Sequence, residues 1–383
     1  MKGMDILKKL GFGTMRLPVD ENEDINYELI GQMVDIFVRN GFTYFDTAYG
    51  YMGGRAEIAL RKCLVERYKR EEYVIADKLT LSKMVEFESL EEYFLVQLRN
   101  LGVDFIDLYL IHGLDAEKYK YAKEENCFDF IRELKKRGKV KYIGISFHDS
   151  AEVLEKILSE QNDIDYVQLQ VNYLDWKDNI VQSEKCIEIA TKYCKRIIVM
   201  EPLKGGMLAS FNEMDYKIVS KLGKRMSAAS WGIRFAASQK NVDIVLSGMN
   251  SLDQIQDNVS YMKNFISINN EEMNLLFQLA EQYKEKRYVR CTICRYCIDV
   301  CPKNIDIPLY IQLLNNIKRF DNKSNFYNMK TYYKAHTQKD NGLAGCMECG
   351  QCENICPQKI SIRKYFGEIK RDCEKKSVNK ILL

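Results

Sequence analysis

Along the first 265 or so residues, short apolar runs alternate with stretches whose apolar positions recur every three to four residues. Eight runs stand out: LGFGTMRL (10–17), TYFDTA (43–48), YVIADKL (73–79), FIDLYLIH (105–112), VKYIGISFH (140–148), DYVQLQVN (165–172), RIIVMEPL (196–203) and VDIVLSGM (242–249). Near-continuous apolar runs mark strands of a parallel sheet covered on both faces. Amphipathic helical stretches lie between them, among them 27–40, 55–69, 88–101, 124–137, 179–193, 226–238 and 251–263. Eight strand–helix units in about 250 residues predict a closed (β/α)8 barrel, the TIM barrel. An open, doubly wound sheet is the alternative. It carries a Gly-rich turn after its first strand, and GFGTMRL lacks that spacing.

The pattern changes after residue 265. The charged helical segment 266–289, with EEMNLLFQLAEQYKEKR, reads as a connector. From 290 to 383 the chain turns Cys-rich, with a polar, aromatic and helical stretch at 308–340. The expected architecture is therefore an α/β barrel over 1–265 followed by a small, mostly α-helical domain.

Composition narrows the class. The 383 residues are 46% hydrophobic and 29% charged, with a net charge of +3. That balance gives no reason to expect nucleic acid or an anionic membrane as partner. No apolar run approaches the roughly 20 residues that cross a bilayer. The stretch Met1 to Leu10 is too short and too polar for a signal peptide, so a cytoplasmic protein is expected. Four of the 13 cysteines are scattered (Cys63, Cys127, Cys186, Cys194), eight crowd between 291 and 356, and Cys373 stands alone. A disulfide framework would need an oxidising compartment.

The crowded cysteines form two copies of one motif. They are Cys291-x2-Cys294-x2-Cys297-x3-Cys301-Pro302 and Cys346-x2-Cys349-x2-Cys352-x3-Cys356-Pro357. Three close thiolates grip three corners of one iron–sulfur cubane, and the fourth, before proline, serves the other cluster of a pair. Two [4Fe–4S] clusters follow: one on Cys291, Cys294, Cys297 and Cys356, the other on Cys346, Cys349, Cys352 and Cys301. Zinc is the rival, but it usually takes two CxxC pairs rather than a run of four. The long insert departs from a compact bacterial ferredoxin. The segment resembles the helical dicluster ferredoxin-like domains attached to anaerobic dehydrogenases and reductases. Electron transfer is the expected role, with a purely structural one as the alternative.

In the barrel, four residues stand at or past strand ends, where barrel chemistry is done. Asp46 ends the second strand, Tyr51 follows in the loop, Lys78 ends the third strand and His112 the fourth. These types suit carbonyl reduction. A phenol with a reference pKa of about 10 needs help to act as an acid. A neighbouring ammonium lowers that pKa, a carboxylate keeps the ammonium charged, and a histidine polarises the carbonyl. Singly each has a bland reading: a helix-cap Asp, one of 24 tyrosines, a solvated Lys, a core His. Their succession at strand ends favours the catalytic one.

The matching text is FDTAYGY, DKL, DLYLIHG, YIGIS, YVQLQVNY, PLKGGML and LSGMNSLDQIQDNV. Residues 1–265 on this text resemble the aldo-keto reductases, and the whole chain resembles their bacterial members with a C-terminal 4Fe–4S domain. The resemblance implies Tyr51 as acid supported by Lys78, His112 and Asp46, and a nicotinamide amide held by Ser146 and Gln168. Gly248 and Asn258 would add contacts at the last strand–helix junction. Backbone amides of Lys204, Gly205 and Gly206, and the start of the 251–263 helix, suit a pyrophosphate.

Several positions depart from the family. Phe147 and His148 follow Ser146 where Asn is usual, and Met200 replaces a stacking Tyr. His148 reads equally as a site residue and as a loop histidine without a role. Gly248, Met249 and Gln254 occupy positions at which NADP-preferring members carry groups for the 2′-phosphate. None is a cation, so NADH is at least as well suited as NADPH. Hydride carries two electrons together whereas clusters pass one at a time. A bound flavin would mediate, although no flavin signature is present. Otherwise the clusters are structural or sensing, or they feed a substrate beside Tyr51 directly.

The leading expectation is an oxidoreductase that reduces a small carbonyl compound, or oxidises the alcohol, at Tyr51. Its clusters would link that site to a ferredoxin or another redox partner protein. The rival is a non-catalytic electron-transfer or redox-sensing subunit. Substrate choice is expected in loops such as 113–123 and 208–225.

Overall fold

The computed structural model describes residues 4, 8–22, 24–178, 181–220, 226–285, 288, 289, 291, 295–319, 333, 342–356 and 358–374. The chain separates into two compact units, residues 1–204 with 211–277, and residues 205–210 with 278–383.

The first unit is a closed barrel of eight parallel strands in sequential order. They are β1 Leu10–Gly13, β2 Tyr44–Asp46, β3 Val74–Leu79, β4 Ile106–Leu114, β5 Val140–Phe147, β6 Tyr166–Gln170, β7 Arg196–Met200 and β8 Val242–Ser247. β8 returns to β1 through the pairs Leu10↔Val245 and Phe12↔Ser247, which leaves no free edge. Strand alternation explains what fills it. Tyr44, Ala76, Leu108, Leu110, Tyr166, Ile198, Ile244 and Leu246 pack into one buried cluster inside the barrel. The neighbouring residue of each strand faces the helices: Phe45, beside Tyr44, meets Phe37 of the helix Tyr27–Arg39 at 5.3 Å between ring centroids. Gly144 is required inside, because a Cβ there would lie 2.5 Å from both Leu110 Cδ2 and the Tyr166 carbonyl oxygen.

All but the last residue of the helix Ala116–Glu124, and the whole helix Glu213–Val219, lie within stretches read from the sequence as loops, 113–123 and 208–225. The first, AEKYKYAKE, buries only Tyr119 and Ala122, so it carries almost no apolar stripe to reveal it.

In the second unit the described elements are helical apart from turns. The helices Ile307–Arg319 and Ile362–Glu374 meet through Tyr310, Ile311, Leu314, Phe366 and Ile369, all buried. Asn315 clamps the incoming chain by accepting from the Val289 amide at 2.7 Å and donating to its carbonyl at 2.9 Å. No helix among the described residues is long and apolar enough to cross a membrane.

Candidate active site and cysteine cavities

The inward parity that fills the barrel also builds its upper layer. Two residues beyond Tyr44 is Asp46, beyond Ala76 is Lys78, beyond Leu110 is His112 and beyond Tyr166 is Gln168. The Lys78 ammonium donates to Asp46 Oδ1 at 2.5 Å and to the Thr47 carbonyl at 2.7 Å, with both side chains buried. Tyr51 follows a tight turn closed by its amide on the Ala48 carbonyl at 2.9 Å. Met52, Gly53 and Gly54 then run in the left-handed region, with φ of 53°, 66° and 87°, before the helix Arg55–Leu60. That reversal leaves the Tyr51 ring 4.8 Å from Lys78 Nζ and 5.7 Å from the His112 ring, nearly perpendicular to it. Ser146 pairs in register with Gln168. Gln168 Nε2 points to Asp46 Oδ2 at 3.4 Å, while its buried Oε1 has no hydrogen-bond partner among the described residues.

Burial works against both charges of the Lys78–Asp46 pair. It would lower the Lys78 pKa, but Asp46 and Tyr51 outweigh it and hold the ammonium protonated. Burial pushes the Asp46 carboxyl up while Lys78 and Gln168 pull it back, and with the contact at 2.5 Å we take the pair as ionic. For Tyr51 the balance differs from the sequence expectation. Burial raises its pKa, and the lowering by Lys78 does not overcome that, so the phenol keeps its proton at neutral pH. Burial first, then Lys78, His148 and Lys118, bring His112 well below its usual range, so the imidazole is neutral.

On the outer face of β3 lies a polar cluster that sequence reading missed. Asp77 and Glu57 are fully buried and share a contact that raises Asp77, with burial the larger cause. Glu57 accepts from Asn100 at 2.7 Å and Gln97 at 3.2 Å. Asp77 accepts from the Lys78 amide, and Gln97 donates to the Lys78 carbonyl. Because the folded pair keeps a proton that the unfolded chain releases above about pH 4, stability should fall as pH rises toward the raised folded value. Asp77→Asn should flatten this decline and stabilise the protein at neutral pH. Urea unfolding at pH 5 and pH 8 checks it, and equal slopes for both proteins would contradict the shared proton.

In the second unit, Cys301, Cys346, Cys349 and Cys352 line one cavity. Cys291, Cys297 and Cys356 line another, walled by Ile307, Ile311, Ile360 and Ile362. Cys294 and Pro357 lie outside the described residues. No three metal-binding side chains among the described residues close on a single ion. Thiols spread around a wider cavity suit the corners of a cubane better than one tetrahedral zinc.

Residues 9–281 match the model of the Aldo/keto reductase family. The chain belongs to that family. Residues 290–361 of this aldo/keto reductase match the 4Fe-4S dicluster domain. The reductase is 21% identical over 320 residues to the NADH-specific methylglyoxal reductase of Escherichia coli, a match covering 72% of this chain and 95% of the relative. Its fold is that of the holo form of aldo-keto reductase AKR11C1 from Bacillus halodurans, with a TM-score of 0.56, 24% identity and coverage of 71% and 91% of the two chains. An aldo-keto reductase of Klebsiella pneumoniae in complex with NADPH gives a TM-score of 0.57 at 16% identity, covering 71% and 90%. The chain is thus an oxidoreductase enzyme, and the dicluster-domain match supports an iron–sulfur cluster as its cofactor.

The remaining residues read for the reductase's cofactor are placed unevenly. The Lys204 ammonium is bound to both oxygens of Asp175 at 2.6 and 2.8 Å, and its amide donates to the Glu201 carbonyl. Gly205 and Gly206 fall in the second compact unit. Asn258 is buried, donating to Ser247 at 2.9 Å and accepting from Tyr261 at 2.5 Å. Gly248 is exposed, as is His148 just past β5. The structure also supplies a cation that sequence reading overlooked at this junction. Arg16, after β1, lies 3.8 Å from Glu201, and its guanidinium sits 3.9 Å from where a Cβ on Gly248 would be. Its position near the end of the first apolar run was the available signal.

Proposed function

We propose that the barrel interconverts a small carbonyl compound and its alcohol at Tyr51, and that the second unit carries two [4Fe–4S] clusters linking this site to a redox partner protein. The observation that carries the reading is the buried Lys78–Asp46 pair, with the Tyr51 ring 4.8 Å from Lys78 Nζ and the His112 ring 5.7 Å from that of Tyr51. In the reductive direction Tyr51 gives its proton to the carbonyl oxygen, and Lys78 offsets the charge that grows on the phenol. Asp46 fixes Lys78, while His112 donates a hydrogen bond to the same oxygen.

A nicotinamide nucleotide supplies hydride when bound. Gln168 Oε1, buried without a partner among the described residues, fits the amide of the nicotinamide, with Ser146 beside it across the β5–β6 register. NADH is the favoured nucleotide. The Arg16 guanidinium already faces the Glu201 carboxylate, which would repel an added phosphate, and the E. coli relative is named as NADH-specific. The clusters supply single electrons when bound, held by Cys291, Cys294, Cys297 and Cys356 and by Cys301, Cys346, Cys349 and Cys352. A flavin is the mediator that joining the two currencies would demand.

Anaerobic titration of the cluster-loaded protein with NADH and then NADPH, followed by cluster absorbance and EPR, tests the reading. Reduction by NADH in preference to NADPH is expected, and stoichiometric flavin should then be released on denaturation. Absence of both cluster reduction and calorimetric binding, with either nucleotide, would overturn the nicotinamide assignment.

A further inference from the structure

Thr80 stands at the end of β3, two residues beyond Lys78, as the residue that caps the short helix Leu81–Glu86. A threonine in that place usually turns its hydroxyl to the helix amides. Here no side-chain capping bond forms, and the turn is closed instead by the Thr80 carbonyl accepting from the Lys83 amide at 2.8 Å. The hydroxyl lies 3.0 Å from His112 Nδ1. The Thr80 backbone is itself fixed, because its amide donates to the hydroxyl of the fully buried Tyr93 at 3.2 Å. Tyr93 is wedged against Phe87 and Tyr49, at 4.7 and 5.2 Å between ring centroids.

We propose that Thr80 is a positioning residue that sets the tautomer of His112, and so makes that histidine a hydrogen-bond donor toward the reacting oxygen. The inference rests on the reading of His112 given above. A neutral imidazole has one N–H and one lone pair, and a partner on Nδ1 decides which nitrogen keeps the proton. The hydroxyl proton of Thr80 needs an acceptor. Nδ1 is the acceptor found for it among the described residues. Donation from Thr80 to Nδ1 places the imidazole proton on Nε2. Lys78, Lys118 and His148 act on the ring from β3, the helix Ala116–Glu124 and the β5 end, and all three disfavour a second proton. His112 then presents Nε2–H and cannot act as a base through that atom. Without Thr80, the ring is free to carry its proton on Nδ1, which turns a lone pair toward a carbonyl oxygen and repels it.

Thr80→Val keeps shape and removes the hydroxyl, and Thr80→Ser restores it. The chain has three histidines, so nitrogen-15 labelling of histidine gives an uncrowded spectrum. The spectra are taken with the clusters held oxidised, the state in which their paramagnetism is least. In the parent protein His112 should show Nε2–H with Nδ1 accepting. Thr80→Val should show a mixture or the reverse, and Thr80→Ser the parent pattern. With it, kcat/KM for carbonyl reduction should fall about ten- to a hundredfold in Thr80→Val, the range seen when outer partners of metal-bound imidazoles are removed, with the nucleotide KM unchanged. An unchanged tautomer in Thr80→Val overturns the inference whatever the activity. A shifted tautomer with unchanged kcat/KM keeps the role of Thr80 toward the ring but removes His112 from the reaction, and that failure belongs to the functional reading.

Discussion

Tyr51→Phe is expected to lower carbonyl reduction by about 10²–10⁴-fold, the usual contribution of a positioned general acid, with iron content and thermal stability unchanged. The phenylalanine ring keeps the contacts that the tyrosine ring makes, 4.8 Å from Lys78 Nζ and 5.7 Å from the His112 ring. What disappears is the proton. Since burial raises the Tyr51 pKa, the parent enzyme holds that proton through neutral pH and loses it only above the ordinary phenol range near 10. Reduction should therefore be level across neutral pH and fall on the alkaline side. Steady-state kinetics on a panel of small aldehydes and ketones decides the matter. Turnover that survives in the variant would remove Tyr51 from the reaction and return the barrel to a binding role.

The second large effect concerns iron. Cys301→Ala should cost roughly half of the bound iron, because Cys301 lines the cavity of Cys346, Cys349 and Cys352 rather than that of its own motif. Pairing variants makes the crossing visible. Cys301→Ala with Cys346→Ala should lose no more iron than either alone, since both strike one cluster. Cys301→Ala with Cys297→Ala should lose nearly all. If each motif served its own cluster, the two double variants would exchange results. A loss of fold is also expected, since Cys297 and Cys356 are buried in the same core as Tyr310, Leu314 and Phe366, and ligand binding there is coupled to folding. Iron per chain, measured together with far-ultraviolet circular dichroism, separates a lost cluster from a lost domain.

The barrel was legible because eight apolar runs each fall on a strand, with bounds differing mainly at the strand ends. The residues of the candidate site stood out by type and by place, since Asp46, Lys78 and His112 interrupt those runs with charge or polarity, and the fold brings them together. What escaped was chemistry whose partners are distant in sequence. Asp77 looks like one more polar interruption of β3, and nothing local shows that Glu57, twenty residues earlier in the chain, is waiting for it. Arg16 is an ordinary surface arginine until Gly248 and Glu201 are brought beside it. Thr80 reads as a helix cap, and only the fold shows its hydroxyl turned to His112. Asn258 is a further case: its motif suggested a cofactor contact, and only the fold shows its amide bonded to Ser247 and Tyr261.

Asp77 and Lys78 are neighbours on one strand, yet the first faces the helices and the second the barrel interior. A single residue inserted or deleted upstream in β3 would turn every later side chain to the opposite face. An insertion would take the ammonium from the substrate side and bring the Asp77 carboxylate opposite Asp46, so that two like charges meet where a cation is needed. A deletion would instead carry Lys78 into the outer acid cluster, in place of its shared proton, and leave Leu79 opposite Asp46. Changes of length in this lineage should accordingly be tolerated only outside the strand, before Val74 or after Thr80, whereas substitutions that preserve the count can accumulate within it.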